Sequence, residues 1–174
     1  MKKTILFVCS GNICRSPAAE GVFRHFSQEL GLDQSYDFFS CGMHGYHEGS
    51  APDRRMLMEA RTRGYDFGAL RASKITRANL EEATQIYAMD QGHMAQLRRM
   101  ASPAQMSRIQ LFSTLLPRID PFMKAYPTDI PDPYYGDQQN FTYVLDLIER
   151  GAKGFFARSR EAYPDLRQAG VNRA

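Results

Sequence analysis

The sequence predicts a single α/β domain with an open, mainly parallel sheet of four strands flanked by helices. Apolar runs of strand length alternate with segments of helical periodicity, which is typical of parallel sheets buried on both faces. The length of 174 residues suits one domain. A cysteine and an arginine separated by five residues follow the first apolar run, where parallel sheets bind ligands.

The chain opens with a predicted strand, loop and helix. Residues 4–9 form a continuous apolar, β-rich run. Ser16 is the predicted N-cap of the first helix, Pro17 its first residue, and Gly31 its end. The apolar face of this helix consists of Ala19, Val22, Phe23, Phe26 and Leu30.

The remaining elements continue the alternation. Strands are predicted at residues 36–41, 84–89 and 109–112, and helices at 53–63, 90–100 and 138–157. Five of the nine prolines lie between residues 117 and 136, which predicts a loop. Residues beyond Ser159 are polar and are expected to be loosely held.

Composition excludes several classes of protein. The net charge of +3 is too small to indicate a nucleic-acid-binding protein, and no apolar run is long enough to cross a membrane. Three cysteines cannot form a disulfide framework, and their spacing does not match a zinc site. We therefore expect free thiols in the cytoplasm, and no metal or other cofactor.

The loop between Cys9 and Arg15 carries the predicted chemistry. Gly11 and Asn12 tolerate left-handed backbone angles, so the loop can curl its N–H groups inward at a helix N-terminus and bind an anion. The planar guanidinium of Arg15 matches a phosphate group, and this positive environment favours a thiolate at Cys9. A nucleotide-binding P-loop is excluded because it needs a second glycine followed by lysine. The competing interpretation is a buried structural cysteine beside a surface arginine.

Residues 8–17, Val-Cys-Ser-Gly-Asn-Ile-Cys-Arg-Ser-Pro, resemble the signature loop of the low molecular weight protein tyrosine phosphatases. Asp132-Pro133-Tyr134 resembles their late Asp-Pro-Tyr segment, and residues 87–90 and 50–53 resemble two further segments. The resemblance covers residues 4–158. It assigns residues 1–158 to one phosphatase domain and residues 159–174 to a polar C-terminal extension.

The resemblance implies a metal-independent, cytoplasmic signalling enzyme that removes phosphate from phosphotyrosine in proteins. Cys9 would be the nucleophile that forms a phosphocysteine, and Asp132 the general acid, with Asp129 as a rival carboxylate. Arg15 would bind the phosphate, and inorganic phosphate would be the product. The other predicted phosphate-binding residues are Ser10, Gly11, Asn12, Ile13, Cys14 and Ser16.

Further side chains are predicted around this loop. Tyr46, Tyr134 and Tyr135 are candidate walls of a deep aromatic cleft, although each could be a packing residue. His44 and His47 are expected to border the cleft, and His25 and His93 to be surface residues. The resemblance implies a reversible disulfide between Cys14 and Cys9. The competing interpretation is that Cys14 is a small thiol that packs within the loop. Cys41 is expected to be structural.

The sequence departs from the family pattern at three positions. Leu70 and Ser73 stand where the family has His and Arg, and His93 where it has Asn. The family's histidine supports the loop asparagine and serine, so Leu70 removes that support from Asn12 and Ser16.

Three alternative functions remain. An arsenate reductase on the same fold would need cysteines after Cys41, and none follows. A phosphoarginine phosphatase would carry Thr at the position of Ile13. The third alternative is a non-catalytic phosphotyrosine-binding protein.

Overall fold

The structure, a computed structural model, describes residues 2–117 and 126–162. Four strands, five α-helices and two short 3-10 helices lie in these ranges, and the α-helices lie between strands except for the last, which follows the last strand. The strands are β1 (Lys3–Cys9), β2 (Tyr36–Gly42), β3 (Gln85–Ala88) and β4 (Ile109–Leu111). The helices are α1 (Arg15–Glu29), α2 (Arg54–Thr62), α3 (Arg77–Glu82), α4 (Gln91–Met100) and α5 (Gln138–Ala162).

The four strands form one fully parallel sheet in the order β2-β1-β3-β4. Cys9 pairs with Gly42 of β2, and Val8 pairs with Ala88 of β3. The chain therefore adds β2 on one side of β1 and then crosses to the other side for β3. Such a reversal opens a crevice at the carboxyl ends of the strands, and Cys9 is the last residue of β1.

The side chains of β1 alternate between two hydrophobic clusters, one on each face of the sheet. Ile5 and Phe7 belong to the cluster that includes apolar residues of α1 and α5, whereas Leu6 and Val8 belong to the cluster with Leu80 of α3 and residues of α4. Because both faces are covered, the strand is apolar and buried from Ile5 to Cys9. Cys9 lies on the α1 and α5 side.

The predicted fold class and the predicted strands are confirmed, with boundary changes of one or two residues. The short helix α3 was not predicted from the sequence, because its Arg-Ala-Asn-Leu-Glu-Glu segment has a single buried apolar residue, Leu80. Helix α5 continues to Ala162, past the predicted end at residue 157. Residues 118–125 of the predicted proline-rich loop, and residues 163–174 of the predicted extension, lie outside the described residues.

The start of α1 was predicted wrongly. The helix begins at Arg15 with Cys14 as its N-cap, so Ser16 is its second residue. No side chain caps this end, because the Ser16 hydroxyl contacts Cys9 and the Cys41 carbonyl instead. Gly31 follows the helix with φ of 67°, as expected of a helix-ending glycine. None of the described helices is long and apolar enough to cross a bilayer.

Candidate active site

The loop after β1 forms the floor of a cavity of about 290 Å³ at the carboxyl edge of the sheet. The predicted nucleophile, arginine and acid all line it, as do the three predicted cleft tyrosines. Its lining residues are Cys9, Ser10, Gly11, Ile13, Cys14, Arg15, His44, Tyr46, His47, Asp132, Tyr134 and Tyr135.

Asn12 holds the curled conformation of the loop. Its φ of 57° is in the left-handed region, which asparagine tolerates better than most residues. Its side-chain amide donates to the hydroxyls of Ser16 and Ser40, each at 2.9 Å, and its Oδ1 accepts the backbone N–H of Ser73 at 2.9 Å. Asn12 is therefore supported without the histidine that Leu70 replaces.

Gly11 serves close packing rather than a left-handed turn. Its φ is not positive, contrary to the sequence-based expectation. A Cβ atom at Gly11 would lie 2.8 Å from the imidazole of His47. The backbone of Gly42 is equally close to the loop, because a Cβ atom at Gly42 would lie 2.9 Å from the Ser10 carbonyl oxygen. The absence of both side chains lets the loop pack against β2 and the segment that follows it.

The Cys9 sulfur is buried and contacts one hydroxyl of α1. Its Sγ lies 3.0 Å from Ser16 Oγ. When Cys9 is ionised the hydroxyl must be the donor, and such a bond stabilises the thiolate. The N-terminus of α1 adds positive potential, because its first N–H groups have no side-chain cap. The Ser16 hydroxyl and the N-terminus of α1 therefore both lie close to the Cys9 sulfur.

Arg15 is a buried cation held on two edges of its guanidinium. Only 3% of the residue is exposed. Its Nη1 donates to Asp90 Oδ2 at 3.1 Å and to the Ile130 carbonyl at 3.0 Å. Its Nη2 donates to Asp132 Oδ2 at 3.1 Å and to Ser10 Oγ at 3.3 Å. These contacts fix the plane of the guanidinium at the floor of the cavity.

The two candidate carboxylates occupy different places. Asp132 lines the cavity and contacts Arg15, and its Oδ1 accepts the backbone N–H of Tyr134 at 3.1 Å. Asp129 Oδ1 instead accepts the backbone N–H of Gln91 at the start of α4, and Asp129 does not line the cavity. The geometry thus favours Asp132 as the acid.

The predicted tyrosines form a shallow rim. Tyr46 and Tyr135 are 84% and 93% exposed, so they wall only the mouth of the cavity, whereas Tyr134 is 36% exposed. His44 stacks on Tyr46 with ring centroids 5.3 Å apart, and the rings of His47 and Tyr134 are 6.1 Å apart. Both histidines border the cleft as expected.

The other two cysteines are buried free thiols. Burial raises the pKa of Cys14 far above its usual range, and the negative charge of Asp53 acts in the same direction. Burial also raises the pKa of Cys41, to about 11. Both are therefore neutral at pH 7. The disulfide between Cys14 and Cys9 stays a prediction.

His93 is not the surface residue that its sequence position suggested. It is 4% exposed, and its Nε2 lies 2.8 Å from Ser10 Oγ. The preceding glycine and the polar residue before it made this helix start look exposed, but the imidazole turns toward the loop. Burial lowers the pKa of His93 to about 4. His25, by contrast, pairs with Glu29 on the surface.

Glu20 was missed in the sequence because it lies among the apolar residues of α1. It is 5% exposed, and its Oε2 accepts the hydroxyl of Ser40 at 2.6 Å. Arg24 pairs with the other oxygen at 2.7 Å. Burial raises the pKa of Glu20, opposed by the Ser40 hydrogen bond. Through Ser40 this carboxyl supports Asn12. A charged residue on an otherwise apolar helix face was the available signal.

The part of the chain that the structure describes holds no group of three or more His, Cys, Asp or Glu side chains placed to bind a metal ion. The lining of the cavity includes the Cys9 thiol, the Arg15 guanidinium and the Asp132 carboxyl.

Comparisons with known proteins agree on one family. The family model for low molecular weight phosphotyrosine protein phosphatases matches residues 4–164. The chain is 35% identical over 161 residues to a low molecular weight protein-tyrosine-phosphatase of Streptomyces coelicolor, covering 92% of this chain and 96% of that protein.

Solved structures give the same result. A protein tyrosine phosphatase from Entamoeba histolytica is similar with a TM-score of 0.84 and 30% identity, covering 92% of this chain and 99% of that one. YfkJ from Bacillus subtilis is similar with a TM-score of 0.83 and 31% identity, covering 94% and 98% of the two chains.

Proposed function

This chain belongs to the low molecular weight phosphotyrosine protein phosphatase family, and we propose that Cys9, Arg15 and Asp132 carry out its hydrolysis of phosphotyrosine through a phosphocysteine intermediate. The convergence of these three side chains on one cavity, with the Arg15–Asp132 ion pair of 3.1 Å, is the observation that carries the proposal.

In the first step the Cys9 thiolate attacks phosphorus in line with the leaving oxygen. A sulfur–phosphorus bond forms as the bond from phosphorus to the tyrosine oxygen breaks. Protonated Asp132 gives its proton to that oxygen, so tyrosine leaves as a neutral phenol. Arg15 and the loop N–H groups bind the equatorial oxygens, which carry the charge of the transition state.

In the second step water attacks the phosphocysteine. The Asp132 carboxylate takes a proton from this water, and the sulfur–phosphorus bond breaks. Cys9 returns as a thiolate, to which the Ser16 hydroxyl donates. Inorganic phosphate leaves, and Asp132 is protonated again for the next cycle. The positive charge around the loop supplies the electrostatic stabilisation that both steps need.

The exposed rim supports a protein substrate. Tyr46 and Tyr135 project at the mouth and can flank a phosphotyrosine ring or the neighbouring peptide. The buried position of Cys9 favours a long aryl phosphate over the shorter phosphoserine. A cytoplasmic location, suggested by three free thiols, and a role in signalling belong to the same proposal.

The test is turnover of an aryl phosphate in the presence of EDTA, beside phosphoarginine and arsenate as alternative substrates. We expect hydrolysis of the aryl phosphate that EDTA does not change, and at most slow reaction with the other two. Faster hydrolysis of phosphoarginine, or reduction of arsenate with thiol consumption, would overturn the assignment of substrate. Binding without turnover would indicate a phosphotyrosine-binding protein.

A further inference from the structure

The first turn of α4 places a buried imidazole behind the phosphate-binding loop, and the proposed reaction does not use it. The Asp90 carboxylate caps this helix, and its Oδ1 accepts the backbone N–H of His93 at 2.8 Å. This fixes where the His93 side chain leaves the helix. His93 is not one of the residues that line the cavity, so its effect on a bound phosphate must pass through its neighbours.

Those neighbours form a closed ring with Arg15. His93 Nε2 lies 2.8 Å from Ser10 Oγ, and Ser10 Oγ accepts Arg15 Nη2 at 3.3 Å. Arg15 Nη1 donates to Asp90 Oδ2 at 3.1 Å. The other carboxylate oxygen, Asp90 Oδ1, is 3.1 Å from His93 Nδ1. Both edges of the guanidinium are thus connected to one imidazole.

Donor and acceptor chemistry assigns the directions in this ring. Arginine only donates, so Ser10 Oγ accepts from Arg15 and keeps its own proton for another partner. A neutral His93 with its proton on Nδ1 can accept that proton at Nε2. The Asp90 carboxylate favours this tautomer, because an unprotonated Nδ1 would bring its lone pair against a carboxylate oxygen. The Nδ1 contact is close but lacks the alignment of a hydrogen bond.

We propose that His93 is a positioning residue that holds the guanidinium of Arg15 in its phosphate-binding orientation through Ser10 and Asp90. The proposal rests on the role assigned to Arg15 in the proposed function. With His93 in place, the Ser10 hydroxyl is turned away from Arg15 and presents it only a lone pair. Asp90 is confined between a helix N-terminus, the imidazole and the guanidinium.

Removing the imidazole leaves Ser10 free to rotate and Asp90 free to shift, so Arg15 loses restraint on both edges. His93→Leu should therefore weaken binding of inorganic phosphate and lower kcat/KM for an aryl phosphate, each by about 10- to 100-fold, as expected of small displacements in a preorganised site. His93→Asn should lose less, because its amide can still reach one of the two partners.

The experiment measures the dissociation constant of inorganic phosphate by calorimetry at pH 7, with near-ultraviolet circular dichroism to establish that each variant is folded. The variants are His93→Leu, His93→Asn, Ser10→Ala and the double variant with His93→Leu and Ser10→Ala. Because His93 acts partly through Ser10, the double variant should lose clearly less than the product of the two single losses. His25→Leu, on the surface of α1, is the matched control.

Phosphate affinity within twofold of the wild type in folded His93→Leu would overturn the proposal, as would fully independent losses in the double variant. A purely structural His93 would lower stability without changing phosphate affinity in the folded protein. The affinity measurement needs no turnover, so it is separate from the proposed reaction. Wild-type protein that binds phosphate with the predicted coupling but hydrolyses no aryl phosphate would contradict only the proposed reaction.

Discussion

Arg15 and Asp132 are joined across the cavity by a hydrogen-bonded ion pair of 3.1 Å between Nη2 and Oδ2. The guanidinium is 3% exposed and the carboxylate 42% exposed, so the pair links the floor of the cavity to its mouth. In the proposed reaction a phosphate group binds this edge of Arg15 in place of Asp132, and Asp132 gives its proton to the leaving group.

The role of Asp132 gives the first prediction. Asp132→Asn should slow hydrolysis of phosphotyrosine by roughly 10²–10⁴-fold, because an amide cannot protonate the phenolate. The loss should shrink for an aryl phosphate whose phenol is a strong acid, since that leaving group needs little protonation. Steady-state rates with two aryl phosphates that differ in the acidity of their phenols test this.

Asp129→Asn is the matched control for this variant. Asp129 contacts the N-terminus of α4 and does not line the cavity, so its replacement should cost much less. A larger loss at Asp129 than at Asp132 would show that the acid is assigned to the wrong carboxylate.

Cys9→Ser should abolish turnover while phosphate or vanadate still binds. The loop N–H groups and Arg15 remain in this variant, and only the nucleophile is lost. Calorimetry measures binding, and release of phenol measures turnover. Cys41→Ser is the matched control, because its sulfur lies 3.8 Å from polar atoms of Asn79 and Ser73 and takes no part in the proposed reaction. Comparable turnover in Cys9→Ser would remove Cys9 as the nucleophile.

Arg15→Lys should lower kcat by about 100-fold or more although the charge is kept. A single ammonium cannot replace contacts that Arg15 makes on both edges of a planar group, nor bind two phosphate oxygens at once. The measurement is kcat for an aryl phosphate at saturation. Arg54→Lys, at an exposed position of α2, should change nothing. If Arg15→Lys keeps most of kcat, the reaction does not need the contacts that Arg15 makes with both edges of its guanidinium.

His93 should make folding stability depend on pH between about 6.5 and 4. Burial lowers its pKa to about 4 in the folded protein, with Arg15 and His44 acting in the same direction against Asp90 and Asp132. In this window the unfolded chain binds more protons, so the free energy of unfolding falls as pH falls.

The His93 contribution amounts to as much as about 3 kcal/mol across the window. His93→Asn removes it, so the difference in unfolding free energy between pH 7 and pH 4.5 should be smaller in this variant than in the wild type. Urea unfolding at the two pH values measures the difference. Equal differences in wild type and His93→Asn would show that His93 titrates alike in both states.

Local patterns predicted the strands and longer helices because burial on both sheet faces requires unbroken apolar runs, as in β1. The same patterns predicted the wrong start for α1, because Ser16 is a residue type that often caps helices. Its hydroxyl instead contacts Cys9, Asn12 and Cys41 in the folded chain. A capping preference is a local energy, and here contacts with the sheet outweigh it.

Sequence patterns identified the contiguous part of the candidate site. They did not identify the supporting residues that come from other segments of the chain. The loop from Cys9 to Arg15 could be identified from one short segment. His93 was assigned to the surface, where it follows Gln91 and Gly92, although it is buried. Glu20 was overlooked because nothing local shows that a carboxyl on an apolar helix face contacts Ser40.

The sequence by itself determined the alternation of strands and helices and the loop from Cys9 to Arg15, since both are visible in contiguous segments. The tertiary structure decided which groups support the loop. Asn12 contacts Ser40 and Ser73 across 28 and 61 positions, and Ser10 contacts His93 across 83. No local pattern encodes such pairs. They meet because parallel strands end at one edge of the sheet, where the loops that follow them pack together.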